Sequence, residues 1–235
     1  MRKESRDRPQ LERTQAVELM NACLNNAERL LNDAEFLLRG GRVPSSLAST
    51  LLAREEMGKS LLVFGALSLG EDEAGWKRFW NRFHNHRSKQ RVFTAWNVLG
   101  MPIPESRKQD VICDSHELST FRELVTYAGY DTVTSQTVGL GSPTTTAGDR
   151  VLTPASLCAH YDVASLLRRA IPESRKELFD LRGFFRSYAS GGGTVLLSPR
   201  LASRLTAVLG KKELHLAELA DTDKVASMLR KALDL

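Results

Sequence analysis

Two segments of the chain concentrate the residue types that can do chemistry. The first, Arg54-Glu-Glu-Met-Gly-Lys59, lies inside a stretch that is apolar nearly all round. At about 100° per residue, Glu55 falls beside Leu51, Gly58 and Leu62 in the middle of the apolar arc. A carboxylate buried there alone would be strongly destabilising or would be driven to protonate, so Glu55 needs a partner. Lys59, one turn along, is the nearest candidate. The plainer reading is an internal ion pair that fixes helix packing; the functional reading is an acid held inside a site. Gly58 weakens a helix interior by about 1 kcal/mol, which predicts the close approach of another helix at that point.

The second segment is Trp76-Lys-Arg-Phe-Trp-Asn-Arg-Phe-His-Asn-His-Arg-Ser-Lys89. Read as one helix, it sets Arg78, Arg82, His86 and Lys89 along a ridge beside a stripe of Trp76, Phe79, Trp80 and Phe83. A histidine takes or gives a proton near neutral pH, and neighbouring cations stabilise a phosphorane-like transition state. Such a set can cleave RNA with the substrate's own 2′-hydroxyl and without a metal. A solvated basic face beside a half-buried histidine is the competing reading. His84 stands roughly 160° around the helix from His86, so the two cannot chelate one ion, and no metal site is expected. His116, His160 and His215 are scattered without ligand spacing, and no GxGxxG, GxxxxGK[ST] or GxSxG motif occurs. No cofactor is expected.

The elements that must position these residues are helices. Prolines at 9, 44, 102, 104, 143, 154, 172 and 199 divide the chain into stretches free of proline, as helix interiors require. Periodicity predicts helices over Leu11–Arg39, Ser45–Leu69 and Trp76–Leu99, the last stopping before the Pro102/Pro104 pair. Beyond that boundary, Ser106–Tyr127 reads as a helix, and Thr-Pro and Ser-Pro starts predict helices over 155–170 and 200–209. A final amphipathic helix is expected over Asp221–Leu233. Thr132 to Gly148 is rich in Thr, Ser and Gly and predicts a loop or flap near 132–150. The segment Ile103-Pro-Glu-Ser-Arg-Lys108 recurs as Ile171-Pro-Glu-Ser-Arg-Lys176, which reads as one helix-starting device used twice. The expected organisation is an all-α protein with an N-terminal bundle over 10–101 and a helical part over 102–235 packed on it.

Composition sets outer bounds. With 235 residues, 42% of them hydrophobic and 26% charged, the chain is long enough for one sizeable core or two small ones. The longest strongly apolar run, Ser60–Gly70, is too short to cross a bilayer, and the charged first ten residues read as neither signal nor anchor, so a cytoplasmic address is expected. Cys23, Cys113 and Cys158 form no CxxC pair and are expected as buried thiols. Thirty-three bases against 28 acids leave a net charge of +5, a mild bias toward polyanions.

Three motifs together resemble a known family. Asn26–Leu38, with its Leu-Leu-Asn-Asp-Ala-Glu core, is similar to the first helix of the AbiV family of bacterial abortive-infection proteins, a branch of the HEPN superfamily. Ala53-Arg-Glu-Glu-Met-Gly-Lys59 resembles that family's A-x-E-E-x-G-K helix, and Phe79-Trp80, Phe83, His86 and Lys89 its FW-x-x-F-x-x-H-x-x-K pattern. Arg122–Asp131 is faintly similar to the family's tyrosine-aspartate stretch, and the resemblance covers about half the chain. It implies a HEPN-like helical bundle, paired as a homodimer, that halts growth or translation in phage-infected cells. A phage-encoded activator or a cognate antitoxin is the partner it implies.

Many HEPN proteins are metal-independent ribonucleases whose arginine and histidine are four to six residues apart. Here Arg78 and His84 have five residues between them but point to different sides of a regular helix, whereas cofacial Arg82 and His86 have three. On this resemblance His86 would be the acid or base, with Arg82 and Arg78 on the phosphate and Glu55 and Lys59 orienting the site. Lys89, Arg87 and His84 would hold the RNA. The alternative is a helical protein without catalysis that binds a phage product or a translation factor.

Overall fold

A computed structural model describes residues 10–70, 72–99 and 162–189, four short strands between 129 and 152, and single residues at 203, 204, 206, 226, 227, 230 and 231. The architecture is an all-α bundle of five described helices: α1 (Arg13–Arg39), α2 (Val43–Ala66), α3 (Glu73–His84), α4 (His86–Val98) and α5 (Val163–Ala189). A 3-10 turn over Leu67–Leu69 extends α2. Two antiparallel hairpins, Gly129–Asp131 with Gln136–Val138 and Thr145–Ala147 with Arg150–Leu152, overlap the stretch near 132–150 expected as a loop or flap. Their Thr and Val residues suit extended backbone.

Helix α1 forms because Ala16, Met20, Cys23, Leu24, Ala27, Leu31 and Ala34 repeat at helical spacing and give one buried stripe. At its start the Glu12 backbone N–H donates to Gln15 Oε1 at 3.0 Å. At its end Gly41 adopts φ 72°, a left-handed turn that disfavours a side chain, and the Arg42 N–H returns to the Leu37 carbonyl at 2.9 Å. Helix α2 begins with Pro44 in its first turn and is buried on nearly every face, from Leu51 to Phe64. It is the central rod of the bundle. Ser46 Oγ ties it to the Ala34 carbonyl of α1 at 2.7 Å.

The single helix expected over Trp76–Leu99 is two helices. Asn85, at φ −88° and ψ 120°, ends α3 and caps α4, its Oδ1 accepting the Ser88 backbone N–H at 3.0 Å. Asparagine competes for the backbone in this way, and an Asn followed three residues later by Ser supplies the cap. Asp72 caps α3 likewise, accepting from Gly75 N at 2.9 Å.

Two further expectations change in α5. The helix starts at Val163, after Asp162 at φ 46°, and runs straight through Pro172, so the second Ile-Pro-Glu-Ser-Arg-Lys copy lies inside a helix and opens none. A continuous stripe of Val163, Leu167, Ile171, Ser174, Leu178, Leu181 and Phe185 is buried, and this packing outweighs the lost proline N–H. The first copy and the helix expected over Ser106–Tyr127 lie outside the described residues. Of the helices expected over 200–209 and 221–233, only the isolated helical residues named above are described.

The core joins all five helices. Met20 and Leu31 of α1, Met57, Leu61 and Phe64 of α2, Phe79 of α3, Trp96 of α4 and Leu181 of α5 are buried in one cluster. Each large apolar side chain buried in this way contributes about 1.5–3 kcal/mol. Phe64 meets Phe184 edge to face at 5.0 Å. On the surface Arg175 reaches Glu35 at 2.8 Å and Arg182 reaches Glu28 at 2.9 Å, bracing α5 on α1.

A buried polar knot links α2, α4 and α5 to residue 204. Glu177 of α5 pairs with Arg204 through both carboxylate oxygens, one contact measuring 2.7 Å, and accepts the Trp96 indole N–H at 3.3 Å. Arg204 also reaches Asn97 Oδ1 at 3.2 Å and lies over the Trp96 ring. Arg54 of α2 donates to Ser174 Oγ at 3.4 Å; burial pushes its pKa down and Glu177 opposes that shift. No described helix is long and apolar enough to cross a membrane.

Candidate functional site

The site is made by the crossing of α2 and α4. A Cβ placed on Gly58 would stand 2.2 Å from the Lys89 carbonyl oxygen, so only a glycine lets the two backbones approach this closely. That contact sets the first turn of α4 against the middle of α2. His86 Nδ1 lies 2.5 Å from Glu55 Oε2, and Lys89 Nζ lies 3.4 Å from the same oxygen. Gln90 Nε2 donates to the Leu51 carbonyl at 2.8 Å and stands 3.5 Å from Glu55 Oε1. Positions 89 and 90 each lie about one helical turn after 86, so α4 presents all three side chains to one carboxylate.

Exposure divides the roles. The Glu55 side chain is 2% exposed and that of Lys89 5%, whereas His86 is 44% exposed. Glu55 as a carboxylate accepts from Nδ1–H, which fixes the ring tautomer and leaves Nε2 as the basic nitrogen. An imidazolium formed at that ring keeps its carboxylate partner in place. Burial pushes the Lys89 ammonium pKa down, and Glu55 opposes that shift. Glu55 therefore faces His86, Lys89 and Gln90 from α4 instead of Lys59.

Lys59 pairs with Glu56 at 2.6 Å and lies over the Phe83 ring at 5.6 Å, so the expected Glu55–Lys59 pair is not formed. The physical reason is the close crossing at Gly58: it brings α4 over Glu55, while Lys59 lies on the flank toward Glu56 and Phe83. Cys23 of α1 faces this flank, and burial, with Glu56 adding to it, pushes its thiol up to about 12. A thiol of that pKa is inert at neutral pH. Cys113 and Cys158 lie outside the described residues.

The other expected site residues lie elsewhere on the segment. Because Asn85 breaks the helix, Arg78, Arg82, His86 and Lys89 do not share one ridge. Arg78 and Arg82 of α3 line a hollow of about 110 Å³ with Gly65, Ala66, Gly75 and Arg230, and Arg78 also reaches the Asp72 carboxylate at 3.4 Å. His84 is exposed and stacks on Trp80, with 6.1 Å between ring centroids. Arg87 is exposed. Gln90 is the site residue that sequence reasoning missed; its spacing of four from His86 was the available signal.

The crossing predicts a measurable sensitivity. Gly58→Ala gains about 1 kcal/mol of helix propensity, but its methyl meets backbone that cannot rotate away. Overpacking of this kind destabilises by about 1–3 kcal/mol, and here the upper end is expected. Urea unfolding of the variant should show a net loss of about 2 kcal/mol; unchanged stability would mean that the helices do not cross so closely.

Among the described residues no group of three His, Cys, Asp or Glu side chains could hold a metal ion. Comparison with known families matches residues 15–128 to the family model of the HEPN-type AbiV proteins. That span takes in α1 from its third residue and the whole of α2, α3 and α4, and with them both partners of the Glu55–His86 contact. Comparison with curated proteins and with solved structures found no match.

Proposed function

Since the chain belongs, through residues 15–128, to the AbiV family of abortive-infection proteins, we propose that it is a defence protein that cleaves RNA without a metal, using His86 backed by Glu55. The single observation that carries this reading is the 2.5 Å contact between a half-exposed imidazole and a carboxylate buried beneath it. His86 Nε2 takes the proton of a 2′-hydroxyl as that oxygen attacks the adjacent phosphorus. The bond from phosphorus to the 5′-oxygen breaks, the leaving oxygen takes a proton from water, and the products are a 2′,3′-cyclic phosphate and a 5′-hydroxyl end. Glu55 holds the imidazolium until it returns its proton to solvent.

Arg78 and Arg82 supply guanidinium groups at the hollow beside the C-terminal end of α2, suited to bidentate phosphate contacts, and Arg87, Lys89 and His84 are close to His86 in the sequence. Lys89 acts as a positioning residue on Glu55, and Lys59 acts from the flank through Glu56. In this reading the protein works in the cytoplasm as a homodimer, and a phage component or an antitoxin governs when it acts.

Purified protein incubated with total RNA in excess chelator tests this. Fragments ending in 2′,3′-cyclic phosphate are expected. Fragments ending in 5′-phosphate, or cleavage that needs a divalent ion, would contradict it.

One observation favours a second reading. Phe36 and Phe179 are 78% and 76% exposed, on α1 and α5, and large exposed aromatics serve as anchors for protein partners. A binding protein without catalysis would lose phage resistance on Phe36→Ala and Phe179→Ala while His86→Ala left resistance intact.

A further inference from the structure

Beside Glu55, α4 places an amide where packing alone asks for an apolar side chain. Gln90 is completely buried. Its Nε2 donates to the Leu51 carbonyl at 2.8 Å and stands 3.5 Å from Glu55 Oε1, so one amide joins positions a turn apart on α2. Its Oε1 is buried without a partner among the described residues. Turning the amide over does not relieve this. The two groups that Nε2 meets, a carbonyl and a carboxylate, are both acceptors, and Oε1 in its place would set oxygen against oxygen.

That arrangement costs stability without serving the backbone. In a helix the Leu51 carbonyl accepts the N–H four residues on, from Glu55, so it needs no second donor. An unpaired buried oxygen is unfavourable, and a methionine of similar length would fill the same space with no such acceptor. What the amide supplies is a hold on Glu55. The last torsion of a glutamate side chain is broad, so its own rotamer does not fix the carboxylate plane. Gln90 meets Oε1, while His86 Nδ1 and Lys89 Nζ share Oε2. We propose that Gln90 is a positioning residue: by fixing the plane of the Glu55 carboxylate it keeps Oε2 on His86 Nδ1, and so holds the ring in the tautomer whose Nε2 is bare.

As a statement about catalysis this rests on the reading of His86 as the base of RNA cleavage; as a statement about the ring it does not. Gln90 is buried out of reach of any substrate, so its effect belongs to kcat and leaves KM alone. Partners that act through a neighbouring side chain in this way change activity by about 10–100-fold.

Gln90→Met in the full chain tests it through three readouts. Long-range proton–nitrogen NMR spectra, recorded without RNA at a pH where the ring is neutral, report the His86 tautomer; its signals are assigned by their absence from His86→Ala. Wild-type protein should show Nδ1 protonated and Nε2 bare, and the variant an exchanging mixture of both tautomers. On a fluorogenic RNA, kcat should fall by at least about tenfold with KM unchanged. The thermal midpoint should equal or exceed that of the wild type, because the unpaired oxygen is gone. A single tautomer kept in the variant, a mixture already present in the wild type, or an unchanged kcat overturns the proposal. So does a variant that melts well below the wild type or fails to fold, since Gln90 is then a brace of the fold. Wild-type protein that cleaves no RNA, while its ring tautomer still responds to Gln90→Met, removes the RNA reading and supports the hold of Gln90 on the ring.

Discussion

His86→Ala is expected to slow RNA cleavage by about 10²–10⁴-fold, the range that removal of a general base produces. The change removes a half-exposed ring at the start of α4, where Asn85 and Ser88 still form the cap, so the fold should persist. Glu55→Gln should have a smaller effect, about 10–100-fold, because an amide can still meet the ring but no longer supports the imidazolium. It also strips Lys89, 5% exposed, of the carboxylate at 3.4 Å, so this variant should lose stability where His86→Ala does not. Cleavage rates on a fluorogenic RNA, measured beside unfolding curves, separate the two effects. Full activity in His86→Ala would remove the imidazole from the mechanism.

The largest effect on stability is expected at Glu177. Glu177→Ala leaves Arg204, 3% exposed, without its carboxylate partner and removes the negative charge that offsets Arg54. Breaking a buried pair from one side destabilises by about 3–5 kcal/mol, a large share of the 5–15 kcal/mol that holds a typical domain together. Replacing Glu177 and Arg204 together with apolar residues of similar size should restore part of that loss, since neither charge is then stranded. Urea denaturation of the single and double variants measures both. A loss below about 1 kcal/mol in Glu177→Ala would place residue 204 away from α5.

Much of the bundle was legible because periodicity reports burial directly. The stripe of Ala16, Met20, Leu24, Ala27 and Leu31 defines α1, and the all-round apolar character of α2 makes it central. The burial of Glu55 and the close approach at Gly58 followed from the same arithmetic, since a charge and a glycine at those angles need special neighbours. The identity of Glu55's partners did not follow. Helical spacing favours Lys59 on the same rod, whereas the crossing angle that brings His86 and Lys89 over Glu55 belongs to tertiary packing.

The break at Asn85 was hidden for a related reason. Each half keeps helical spacing on its own, so a reading by period alone joins them, although Trp76 to Phe83 and the apolar face of Val92, Phe93 and Trp96 would fall on roughly opposite sides of one regular helix. The local sign was the cap residue itself, an Asn with Ser three positions on. Pro172 misled in the opposite direction: a proline read as a start stands inside α5, held there by Ile171 and Leu178 in the core. The Glu177–Arg204 knot joins residues 27 apart in the chain, beyond any local pattern.

Chemical rescue of His86→Gly by added imidazole tests the central claim most directly, because it asks whether the ring alone, seated against Glu55, moves the proton. Imidazole should restore cyclic-phosphate-forming cleavage in a saturable manner and should fail to do so in a Glu55→Gln, His86→Gly double variant. Cleavage by wild-type protein that imidazole cannot restore in folded His86→Gly, or restoration that ignores Glu55, would contradict the account.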